Sequence, residues 1–110
     1  MGVNYQLDRV AANVSKGYRQ LQKAANAMAK GKTDSAVSHY NEGLSYFDTA
    51  ADHLVKAEDD VSKKAGKDID SGNKELKKSI DSYANGHPDE AANQYDKAMT
   101  SYDSALDLIS

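Results

Sequence analysis

Shifted against itself by 55 residues, the chain aligns residues 13–54 with residues 68–109 without a gap. Identical pairs include Gly17/Gly72, Leu21/Leu76, Ala29/Ala84, Gly31/Gly86, Ala36/Ala91, Tyr40/Tyr95, Asp48/Asp103 and Ala50/Ala105. A match of this kind reads as duplication of one structural unit, each copy needing the other to bury its apolar face. With 110 residues in all, the chain is too short for two independent cores, so residues 1–110 are expected to form one domain.

Each segment carries one mark of punctuation: Lys30-Gly31-Lys32-Thr33-Asp34 in the first, Asn85-Gly86-His87-Pro88-Asp89-Glu90 in the second. Glycine suits the left-handed residue after a helix, proline suits a first helical turn, and acids suit a helix's positive N-terminal end. On both sides of these turns apolar residues recur every three or four positions, as in Leu7, Val10, Val14, Leu21 and Val37, Tyr40, Leu44, Phe47. The chain has a single proline and is rich in alanine, which favours helix throughout. The spacing predicts helices near 4–30, 33–58, 62–85 and 88–109. The stretch Glu58-Asp59-Asp60-Val61-Ser62-Lys63-Lys64 joins two hairpins (4–58 and 62–109), with Gly66 obscuring where the third helix begins. Short connections dictate antiparallel neighbours, so the expected fold is all-α, an up-down-up-down four-helix bundle of two related hairpins.

Folding each hairpin about its glycine pairs residues whose numbers add to about 64 in the first segment and about 174 in the second. Gly17 then faces Phe47, Gly72 faces Tyr102, Leu21 faces Gly43 and Leu76 faces Ala98. A mid-helix glycine costs about 0.5–1 kcal/mol relative to alanine, which a ring seated in the gap offsets.

The residues Gly31, Ala36, Tyr40 and Gly43, with Gly86, Ala91, Tyr95 and Ala98, resemble the turn and second helix of a tetratricopeptide repeat. In that family the glycine closes the first helix, and the small and aromatic residues pack between the two helices. The pattern stops at the turns: the family's first-helix positions fall on Gln20, Lys23, Ala24 and Ala27, its closing proline on Asp48, and the spacing is 55 rather than 34. The resemblance implies a tetratricopeptide-like hairpin and, through the family, protein binding.

Several function classes find little support. Net charge is -3 with the basic residues dispersed, so the footprint that tracks phosphates is missing and nucleic acid is not expected as a partner. There is no cysteine, which removes thiol nucleophiles and thiolate metal sites. No stretch approaches the ~20 apolar residues of a membrane span. The opening Met1-Gly2-Val3-Asn4-Tyr5-Gln6 lacks the basic and apolar regions of a signal peptide. Cytoplasm is the expectation, with an exported mature form as the alternative.

Among candidate chemistries, His39 and Glu42, and His87 and Glu90, form two His-x-x-Glu pairs at the end bearing the turns. They are the candidate divalent-metal residues, although His87 is also placed to cap the helix that Pro88 opens. Met28 and Met99 fall on apolar stripes, where methionine fills core gaps, and no haem or other cofactor is expected. Asp48, Asp52, Asp103 and Asp107 lie at i, i+4 spacing and read as solvated flanks or as partners for buried tyrosine hydroxyls. No nucleophile with an adjacent base can be assembled, so enzyme activity is not expected. Tyr18 and Tyr46 fall off the centre of their stripes at the same height on adjacent helices. They are the candidate partner-binding patch, or flank rings over a thin core. The function expected is a protein-interaction or structural module acting on another protein or on itself, with a small ligand- or metal-binding bundle as the alternative.

Overall fold

A computed structural model describes the backbone of residues 2–109 and the side chains of residues 7–109. Four helices follow in order: α1 (Gly2–Ala29), α2 (Thr33–Val55), α3 (Asp60–Ala84) and α4 (Pro88–Ile109). They pack antiparallel into a bundle with extents of 46 × 20 × 18 Å. No strand occurs among the described residues.

The two hairpin turns have the same construction. At the first, Lys32 N–H donates to Ala27 O at 2.9 Å and Gly31 N–H to Met28 O at 3.0 Å. At the second, His87 N–H donates to Ser82 O at 2.8 Å and Gly86 N–H to Tyr83 O at 3.1 Å. This is the paired bond pattern that closes a helix on a left-handed residue, and Gly31 and Gly86 take φ of +72° and +82°, as the punctuation predicts. Their carbonyl partners would otherwise be orphans of the last helical turn.

The third connection differs from expectation. α2 ends at Val55 rather than near 58, and α3 starts at Asp60 rather than near 62. Asp59 is the reason, because its extended backbone and its carboxylate, which accepts from Ser62 N–H at 2.9 Å, cap α3 at that point. Gly66 lies inside α3 and is buried.

Small residues let consecutive helices approach closely. A Cβ placed on Gly17 would stand 2.9 Å from Phe47 Cζ, and one on Gly72 would stand 2.6 Å from Tyr102 Cε1. A Cβ on Gly43 would stand 3.2 Å from Leu21 Cδ2, so the interlock read from hairpin arithmetic is present at each of its three glycine pairs. Phe47 and Tyr102 stack at 4.2 Å and 19° in the middle of the bundle, both almost fully buried. Alanines 24, 36, 50, 51, 65, 91, 98 and 105 complete a thin core.

Backbones approach closely at the α1–α2, α2–α3 and α3–α4 boundaries, whereas α1 and α4 stay further apart. Tyrosine rings occupy that seam. Tyr18 of α1 meets Phe47 edge-on at 5.3 Å and Tyr102 of α4 at 6.5 Å. No described helix is long and apolar enough to cross a membrane.

Candidate functional site: a tyrosine-lined hollow at the turn end

The wider α1–α4 seam has a consequence near the turns, where all four helices contribute to one hollow of ≈ 290 Å³. Ala25 and Met28 come from α1, Tyr40 from α2, Ser79 and Tyr83 from α3, and Ala91, Ala92, Tyr95 and Asp96 from α4. Tyr40 is the buried ring at 6% exposure, while Met28, Tyr83 and Tyr95 are half-buried. Its ring lies 6.5 Å from Tyr83 at 72° and 6.2 Å from Tyr95 at 61°, so three rings stand at steep angles around the space. Where the first segment places Val37, the second places Ala92, and the smaller side chain leaves room on the α4 side.

The buried polar side chains here are committed within the protein. The Tyr40 hydroxyl donates to the Met28 sulfur at 3.0 Å, and the Ser79 hydroxyl donates to Ala91 O at 2.7 Å. Burial, with Tyr95 and Tyr83 adjacent, pushes the Tyr40 phenol up to about 12. Burial and the neighbouring Asp96 carboxylate also push Tyr95 upward. These phenols are therefore neutral at physiological pH, when a charged phenolate would be desolvated.

The sequence-predicted site residues are placed differently. The His39 ring hydrogen-bonds the Gln20 side chain at 2.9 Å across α1 and α2. Glu42, His87 and Glu90 are exposed. His87 occupies the residue before α4, and its carbonyl accepts from Ala91 N–H at 3.0 Å. Among the described residues no three His, Asp or Glu side chains stand together as a metal ion needs, so these four are not assembled into one site.

Tyr18 and Tyr46 engage different neighbours. Tyr18 turns into the α1–α4 seam against Phe47 and Tyr102, and burial followed by the Asp103 charge pushes its phenol up to about 12. Tyr46 lies beneath the Lys16 ammonium, 5.9 Å from the ring centroid. The Asp52 carboxylate meets Lys56 at 3.0 Å on the surface. Asp48 accepts from Asn73 Nδ2 at 2.8 Å, and Asn73 Oδ1 in turn accepts the Tyr102 hydroxyl at 2.6 Å.

Helical spacing puts Tyr40, Tyr83, Tyr95 and Met28 on the core stripes and marks no site among them. A signal was present: Tyr40 and Tyr95, and Met28 and Tyr83, stand 55 residues apart and so share positions in the two aligned segments. One turn-end layer is thereby loaded with large, half-polar side chains beside small alanines. No family model, curated protein or solved structure matches this chain.

Proposed function

We propose that this chain is a non-catalytic binding module whose binding site is the turn-end hollow. The observation that carries the reading is the opening itself. Where its middle closes ring against glycine, the turn end of the bundle leaves ≈ 290 Å³ among Tyr40, Tyr83, Tyr95 and Met28. Binding sites in helical bundles lie between facing helices, are mostly apolar and carry a few placed polar groups.

The test is shift mapping by NMR against a library of small soluble ligands. Binders are expected to move the Met28 and Ala92 methyl signals first. Ala92→Phe, a change at an exposed position lining the hollow, is expected to abolish binding without lowering the melting temperature by more than a few degrees. Ligands that shift only signals elsewhere would sink the reading.

A second reading, contact with another protein or a second copy of this chain, is favoured by Val55 and Val61. These exposed large hydrophobics, at 44% and 50%, flank the α2–α3 connection at the opposite end. The same spectra separate the two readings. Concentration-dependent shifts at Val55 and Val61 with the hollow silent would move the function to that end.

A further inference from the structure

We propose that the hollow receives the quaternary ammonium head of a small ligand, held against the rings of Tyr40, Tyr83 and Tyr95 with Asp96 as the counter-charge at its edge. The inference rests on the reading of the hollow as a binding site and adds the chemical class of its occupant.

Three observations select that class. Tyrosine rings carry negative electrostatic potential on their faces, and a cation within about 6 Å of several rings is attracted by all of them. Here the rings stand at 72° and 61° to Tyr40 around one space, rather than filling it by stacking flat. The lining also contains a carboxylate, Asp96, and no lysine, arginine or histidine, so its charge opposes anions and favours cations. Finally, the hydroxyls of Tyr40 and Ser79, the buried polar side chains of the lining, are already used within the protein, so a head group seated against them meets rings and methyls rather than free hydroxyls.

A primary ammonium holds its water tightly and needs acceptors to replace it. A methylated one presents an apolar surface around its charge, and this site offers such a group rings, the polarizable Met28 sulfur and alanine methyls. The neutral state of Tyr40 and Tyr95 keeps the phenols from forming ion pairs of their own. At ≈ 290 Å³ the space falls just below the roughly 300–1,000 Å³ range of ligand pockets, which suits a compact head rather than a whole drug-sized ligand.

The experiment titrates the full chain with choline and, separately, with its neutral isostere 3,3-dimethylbutan-1-ol, following the Met28 and Ala92 methyls by NMR. Choline is expected to bind at least about tenfold more tightly than the alcohol, a difference of about 1.4 kcal/mol. Asp96→Asn, at an exposed position, is expected to weaken choline several-fold and leave the alcohol unchanged, whereas Ala92→Phe removes both. Equal affinities for the two probes would overturn the ammonium assignment while leaving the hollow a binding site for apolar groups. No shift from either probe, with the wild-type fold intact, would overturn the assignment and count against the hollow as well.

Discussion

Tyr102 shows how a single polar atom is accommodated in so thin a core. Its ring fills the gap at Gly72, and its hydroxyl donates to Asn73 Oδ1, which stands on a residue only 3% exposed. Asn73 passes the polarity outward to Asp48, so the carboxylate stays at the surface and no charge is buried. The sequence suggests aspartates as direct partners of buried tyrosine hydroxyls. The amide intervenes because it supplies both an acceptor for the phenol and a donor for the acid. Tyr102→Phe is expected to cost about 1–3 kcal/mol, since it leaves the Asn73 carbonyl oxygen buried without its partner. Urea denaturation measures this, and an unchanged midpoint would mean that the relay contributes nothing net.

At the scale of elements, what could be read from the sequence depended on whether a turn fixes the register. Within each hairpin the left-handed glycine sets which residues face each other, and Gly17 with Phe47, Leu21 with Gly43, and Gly72 with Tyr102 meet as the numbering predicts. Between hairpins no such marker exists. The contact of Gly66 with α2 was therefore not legible, because it depends on the Lys56–Asp59 connection, whose composition specifies no turn. Tyr18 and Tyr46 illustrate the same limit: their heights follow from hairpin arithmetic, but the turn of Tyr18 toward α4 depends on two helices with no turn between them. The hollow was hidden for that reason, since periodicity marks Tyr40, Tyr83 and Tyr95 as inward-facing without measuring the width of the seam. Gly66 also carries a prediction. A Cβ there would stand 2.8 Å from Val55 Cγ2 and 3.0 Å from the Val55 backbone nitrogen, and the backbone atom cannot rotate away. Gly66→Ala gains up to about 1 kcal/mol of helix propensity and loses about 1–3 kcal/mol to overpacking, so thermal melts should show a net loss. A raised melting temperature would show that α2 and α3 separate freely.

For the whole molecule, the tyrosines tie stability to alkaline pH. Burial pushes Tyr18 and Tyr40 up to about 12 and raises Tyr95 and Tyr102 as well, with Asp48 adding to the effect at Tyr102. In the unfolded chain these phenols titrate near about 10. Their folded values are higher, so the folded state retains protons that the unfolded state has lost; the contribution is fully present below about pH 10 and is lost as pH rises through about 12. The melting temperature is expected to hold to about pH 9 and then fall, with helix loss and tyrosinate absorbance appearing together. Ionisation of all tyrosines near pH 10 with helix content unchanged would contradict this. The seam where these rings gather is also a boundary with no connecting chain, where the helices stay further apart than within either hairpin. Mechanically the molecule is a book: each hairpin is a cover, α2 against α3 is the spine, and α1 and α4 are fore-edges held by rings that meet edge-on. Opening the covers needs rings to slide and no helical hydrogen bond to break, so the width of the turn-end hollow is set by side chains rather than by a connecting turn.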